Sequence, residues 1–271
     1  MQPGHRGRRL RLATGITTAV DQRGAPDGAP SLVLLHSWAA SRRSFAALLP
    51  HLPGHLHVVA ADLRGHGDAD RPPAGYDVVT LAADVVALLD ALDLPPAVLV
   101  GASSGGYVAQ QVAVDAPDRV AGLVLAGAPR DLRGRPPFAD EVEALRDPVD
   151  PAWVRRFQGG LTDLDLLPGW YVDLMVEDAL RLPAAVWRAT FAGLTTSRPP
   201  TEAGTVTAPT LVVSGGRDEL VGRGETVALV AAVPGAEWIE YPGTGHLVLE
   251  EQPARLAADI ATFAARCAPQ R

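Results

Sequence analysis

The sequence predicts an α/β fold: a mostly parallel sheet flanked by helices, with an inserted helical cap. Two observations carry this. Short apolar runs bounded by Gly and Pro alternate with segments of helical period through most of the 271 residues. That alternation breaks between about Leu132 and Arg198, where only helical patterns occur. A chain 47% hydrophobic and 20% charged also has the apolar content to bury a sizeable core.

Taken in order, "RLRLATGITTAVDQRG" reads as an antiparallel strand pair. "SLVLLH" (31–36), "LHVVAADL" (56–63), "AVLVGA" (97–102), "VAGLVLAG" (120–127), "TLVVSGG" (210–216) and "EWIEYPG" (237–243) read as further strands. Helical patterns fall near 41–50, 78–93, 104–116, 222–233 and 252–267. Strand alternating with helix implies parallel pairing with both faces covered. The insertion contains "FADEVEALRD", "PAWVRRFQGGL", "WYVDLMVEDAL" and "AAVWRATFAGL", and "RPP" closes it at 198–200. The expected division is a core of 1–131 and 199–271 with a helical cap of 132–198. Half of the fourteen aromatic residues lie in the cap, so some pack its helices and others line an apolar pocket. Trp153, Phe157, Trp187 and Phe191 are the candidates for the pocket.

Charge and composition exclude several classes of chemistry. A formal charge of −7, with no basic block to offset it, argues against a nucleic-acid partner. No apolar stretch approaches the length of a membrane span, and the Arg-rich "GHRGRRLRL" precedes no apolar signal region. A cytoplasmic setting is the expectation. All 24 basic residues are Arg, which removes Schiff-base chemistry and a P-loop lysine. Cys267 is the single cysteine, so no intrachain disulfide or cysteine metal cluster is expected. His51, His55 and His57 span a helix end, a turn and a strand start, a poor arrangement for three converging metal ligands. Neither metal nor cofactor is expected.

The stretch "VLVGASSGGYVAQQVA" carries the chemistry. Gly101-Ala102-Ser103-Ser104-Gly105 fits G-x-S-x-G, with a strand before it and a helix after it, the context that motif needs. Placing Ser104 at the centre would put Ala102 at the first glycine position, a poorer match. A serine hydroxyl attacks only when a base takes its proton and a third group orients that base. "GGRDELV" sets Asp218 just beyond one strand, and "GTGHLVLEEQP" sets His246 just beyond the next. Both project from the end of the sheet that presents Ser103, where parallel α/β folds bind ligands. The chain order Ser, Asp, His is one of the convergent triad orders.

With these pieces, together with "LVLLHSW" and "DLRGHGDADRP", the sequence resembles the α/β-hydrolase superfamily over essentially its whole length. It is most similar to the capped esterase and lactonase-like members, including enol-lactone hydrolases and haloperoxidase-like esterases. The resemblance implies Ser103 as nucleophile, His246 as base and Asp218 as orienting acid, with oxyanion N–H donors from Trp38 and Ser104. It implies acyl transfer on a small-molecule ester or lactone of apolar character, with Ser37 and Trp38 at the pocket. The family carries glycine at the position of Ser37; a left-handed backbone there would strain a serine and re-aim the Trp38 N–H. His36 reads as a hydrogen-bonding support for that loop, and Arg64 and His66 as stabilisers of theirs. Rival readings on the same scaffold are carbon–carbon bond hydrolysis, cofactor-free oxygenation, or a hydrolase-like receptor with vestigial turnover.

Overall fold

The computed structural model describes residues 7–26 and 30–267; His5 and the start of the Arg-rich opening lie outside them. Eight strands form one sheet: β1 (Arg8–Arg11), β2 (Thr17–Arg23), β3 (Leu32–Leu35), β4 (Val58–Ala61), β5 (Ala97–Ala102), β6 (Val120–Ala126), β7 (Thr210–Gly215) and β8 (Glu237–Tyr241). Their order across the sheet is β1-β2-β4-β3-β5-β6-β7-β8. β1 and β2 pair antiparallel, as does β2 with β4, and every later pairing is parallel.

Alternation along the strands builds two cores. Leu32, Leu34, Val98 and Val100 face one side, while Val33, Leu35 and Leu99 face the other. The second face is covered by α1 (Val78–Ala91) and α2 (Ser104–Asp115), through Leu81, Val85, Leu88, Val108 and Val112. α3 (Ala139–Ala144), α4 (Pro151–Gly159), α5 (Gly169–Leu180) and α6 (Ala184–Thr196) follow β6 in the chain. After them come α7 (Pro200–Ala203), α8 (Arg223–Ala232), α9 (Val248–Glu251) and α10 (Pro253–Arg266). α10 buries Leu256, Ile260 and Phe263, one helical stripe, on the first face. Helix ends follow local chemistry: Asp77 caps α1 by accepting from the Thr80 N–H at 2.9 Å, and Asp150 caps α4 ahead of Pro151.

One expected helix is absent. Residues 41–50 form two 3₁₀ turns, Arg42–Ala46 and Leu49–His51, instead of an α-helix. Pro50 lacks the N–H that a continuing helix would use. The buried Arg42 also fixes this segment to the core, its backbone N–H and guanidinium both bonding to Asp62.

α3 to α6 lie against the loop after β3. Trp187, Trp153, Phe191 and Trp38 share an apolar cluster. Polar ties fix the same contact: Trp38 Nε1 donates to Thr190 Oγ1 (2.8 Å), Ser41 Oγ to Asp178 (2.6 Å), and Tyr171 Oη to the Ser44 carbonyl (2.6 Å). This helical layer therefore sits over the carboxyl ends of the parallel strands, the end at which Ser103, Asp218 and His246 emerge.

Candidate active site

Ser103 occupies a left-handed backbone conformation, φ 49° and ψ −119°, between β5 and α2. An L-residue is crowded there, at a typical cost of about 1–3 kcal/mol, and persists only when its surroundings hold it. They do so closely. The Ser103 N–H donates to Ala126 O on β6 (2.8 Å), and its carbonyl accepts from Gly106 and Tyr107. Only hydrogen fits at the flanking positions. A Cβ on Gly105 would lie 2.2 Å from the Leu35 carbonyl oxygen, and one on Gly101 would lie 2.4 Å from Gly106 Cα. The elbow is therefore pressed against the end of β3, which brings α2's first turn beside the Ser37–Trp38 loop.

The three polar groups found in sequence converge. His246 Nε2 lies 2.9 Å from Ser103 Oγ, and His246 Nδ1 lies 2.9 Å from Asp218 Oδ2. The other Asp218 oxygen accepts from the Leu220 and Val221 N–H groups at 2.9 and 2.8 Å. Asp218 thus has its orientation set by backbone and presents one oxygen to the imidazole, so Nδ1 carries a proton and Nε2 faces serine as an acceptor. The turns bearing them are laced together, because the Arg217 N–H donates to Thr244 O (2.8 Å). Asp218 and His246 are both buried.

Ser104 and Trp38 line the outer chamber together with Ser103. Ser104 opens α2, where no intrahelical acceptor exists for its N–H. Among the described residues neither N–H donates to another protein group. Ser37 has no left-handed backbone; the positive φ falls two residues later, at Ala39 (62°). The expected strain at Ser37 is therefore displaced to a small residue.

His36 holds this loop from beneath. Its Nδ1 donates to Ser37 O (2.8 Å) and its Nε2 accepts from the Leu63 N–H (2.9 Å), so both ring nitrogens are used by the neutral ring. Burial, with the nearby Arg42 charge, drives its pKa down to about 4. Burial, with His36 beside it, takes His66 to about 3; their ring centroids are 5.1 Å apart. Arg64 pairs twice with Asp84, at 2.7 and 2.8 Å, as a loop stabiliser would.

A pH dependence of stability follows from the two imidazoles. Between roughly pH 4 and 6.5 the unfolded chain binds protons that folded His36 and His66 refuse, so their contribution is full above 6.5 and falls as pH drops. Glu250, lifted by burial to about 7, acts in the opposite sense between 4.5 and 7. Two histidines against one glutamate give a urea midpoint lower at pH 5 than at pH 7. His66→Leu should flatten that decline, and equal slopes in the two proteins would contradict it.

Two chambers meet at Ser103. The outer, of about 340 Å³, is lined by Trp38, Leu132, Phe138, Phe191, Leu194 and Val221, among others. The inner, of about 60 Å³, is more enclosed and is lined by Trp38, Phe157, Leu161, Met175, His246 and Glu250, among others. Ser37 lines the inner chamber, and Ser104 the outer. Phe157 and Phe191 thus face these spaces. Trp153 and Trp187 line neither chamber; they are buried within the helical layer, their rings 5.3 Å apart and nearly perpendicular. Phe138 and Leu220 line both chambers, and Gln158 and Glu250 line the inner one, without having been singled out in the sequence. The glutamate pair that follows the apolar run in "HLVLEEQP" is a signal for an acid at this place, without showing which of the two faces the chamber. Among the described residues no set of three or more His, Cys, Asp or Glu side chains is arranged to hold a metal ion.

Residues 32–259 match the model of the alpha/beta hydrolase family, and the chain belongs to that family. A non-heme chloroperoxidase of Streptomyces lividans is 45% identical over 107 residues, a span covering 39% of this chain and 38% of that protein. The crystal structure of a hydrolase from Pseudomonas aeruginosa PA01 superposes with a TM-score of 0.85 at 26% identity, covering 97% of this chain and 99% of the other. The esterase RhEst1 from Rhodococcus sp. ECU1013 gives 0.83 at 27% identity, over 95% and 98%. No helix among the described residues is long and apolar enough to cross a membrane.

Proposed function

We propose that this protein hydrolyses a carboxylic ester or lactone of an apolar small molecule through an acyl-enzyme on Ser103. The observation that carries this is the unbroken hydrogen-bond line from Ser103 Oγ through His246 to Asp218, 2.9 Å at each step, ending on a strained elbow at the junction of two chambers. The similarity to an esterase over nearly the whole chain supports the same reading.

In this mechanism His246 Nε2 accepts the Ser103 proton as Oγ attacks the acyl carbon, and Asp218 stabilises the imidazolium and fixes its ring. The Ser104 and Trp38 N–H groups, free of other partners, receive the oxyanion, with the positive end of α2 adding to its stabilisation. His246 then hands its proton to the departing alcohol oxygen. Water repeats the cycle: His246 takes its proton, hydroxide adds to the acyl carbon, and Ser103 leaves reprotonated. No metal or cofactor enters any step. The helical layer, with its Trp38–Phe191 contact, acts as a cap that keeps water from the junction. Acid release from a panel of esters and lactones graded by size tests the proposal. Turnover of short acyl esters supports it, and inertness across the whole panel sinks it.

A further inference from the structure

The lining of the inner chamber combines two chemistries. Its apolar part includes Trp38, Phe138, Phe157, Leu174 and Met175. Its polar part includes Ser44, Gln158, Asp178 and Glu250. Asp178 is fully engaged, by Ser41 Oγ on one oxygen and Arg43 (2.9 Å) on the other. The others are not. Ser44 Oγ is buried without a hydrogen-bond partner, and the buried Gln158 side chain bonds to no other group among the described residues. The buried Glu250 carboxyl hydrogen-bonds with the Tyr171 hydroxyl, whose own hydrogen goes to the Ser44 carbonyl, and Glu250 also lines the chamber.

A buried polar atom left without a partner is costly, by about 1–3 kcal/mol in typical proteins; Ser44 Oγ is one, and with the Gln158 amide and the Glu250 carboxyl around the same small space it marks a place where something polar binds. No Arg lines the chamber, and both its charged-type residues are acids. A carboxylate or phosphate would meet repulsion there. A hydroxyl can donate to Glu250 and accept from both Ser44 Oγ and the Gln158 amide. Burial, reinforced by Glu251, lifts Glu250 to about 7, so the site does not demand a cation. At about 60 Å³, the chamber takes only a short arm.

We propose that the inner chamber is an acyl subsite selective for a short, hydroxylated acyl group, with Glu250 as its specificity-determining residue and Gln158 and Ser44 completing the recognition. This rests on the ester-hydrolysis reading above. The acyl arm belongs in the more enclosed chamber, because the alcohol leaves first and the wider outer chamber gives it the route out. Glu250 touches the acyl arm and takes no part in proton transfer at Ser103.

The test compares p-nitrophenyl butyrate, p-nitrophenyl 3-hydroxybutyrate and p-nitrophenyl hemisuccinate in wild type, Glu250→Gln and Glu250→Leu. The wild type should favour the hydroxylated ester over butyrate by roughly tenfold in kcat/KM, with hemisuccinate slowest. Glu250→Leu should erase the preference for the hydroxyl, whereas Glu250→Gln, which still bonds to it, should keep the ratio within about threefold of wild type. Because the readout is a ratio within one protein, partial loss of folded enzyme does not alter it. Should Glu250→Leu be unfolded by circular dichroism, Gln158→Leu replaces it and should lower the same ratio. A ratio near one in wild type, or one unmoved by Glu250→Leu, overturns the subsite. Absence of turnover on all three esters overturns the ester reading itself.

Discussion

Ser103→Ala is expected to lower kcat on p-nitrophenyl esters by on the order of 10⁶-fold, to a residue of activity owed to binding and the oxyanion donors. Ser104→Ala should stay within about tenfold of wild type. The contrast follows from the elbow. Ser103 alone has the positive φ that lifts its hydroxyl out of the turn toward His246 Nε2, while Ser104 is already the first residue of α2 and contributes its backbone N–H. Initial rates of p-nitrophenolate release, on protein whose fold is verified by circular dichroism, read both variants. Equal losses, or the reverse order, would mean that the nucleophile has been placed one residue too early.

Asp218→Asn should cost roughly 10⁴-fold in kcat with little loss of folded protein. The direction can be derived from the hydrogen bonds around the carboxylate. One Asp218 oxygen takes two backbone N–H groups, from Leu220 and Val221, and the other faces His246 Nδ1. An amide in that place keeps its oxygen on the two N–H donors and turns its NH₂ to the ring. Nδ1 must then accept, the ring proton moves to Nε2, and Nε2 can no longer take the serine proton. His246→Ala should be at least as severe, since it removes the base. The pair also separates rival chemistries on this scaffold. Turnover retained in Ser103→Ala but lost in His246→Ala would select proton abstraction from substrate, as carbon–carbon hydrolysis or cofactor-free oxygenation would use, over serine attack.

The features legible in the sequence were those fixed by local rules. Central parallel strands such as "LVLL" and "AVLVGA" are buried on both faces, and their period and flanking glycines are visible without neighbours. Ser103, Asp218 and His246 could be brought together because each follows a strand of one parallel sheet, and topology sends such positions to the same edge. What escaped depended on packing between distant segments. Residues 41–50 look helical in composition, yet Pro50 and the buried Arg42–Asp62 contact turn them into two 3₁₀ turns. Trp153 and Trp187 have the same residue type as Trp38, and only the crossing of α4 and α6 decides that they pack on one another and leave the chamber wall to Phe157, Phe191 and Phe138. Ser37 reads as a strained substitution in sequence, which does not show that the turn's left-handed residue is Ala39. Glu250 is indistinguishable from its neighbour Glu251 in sequence. The structure separates them: Glu251 accepts from Thr162 and the Gly245 N–H, and Glu250 faces the inner chamber.

Everything proposed about catalysis depends on Ser103 Oγ being the group that His246 activates. Labelling the folded protein with a fluorophosphonate probe, followed by proteolysis and mass mapping of the modified peptide, reads that directly. The phosphonyl adduct should lie on Ser103 in a one-to-one ratio, and it should vanish in His246→Ala. An adduct on Ser104, Ser37 or any other residue, or no adduct on active protein, would contradict it.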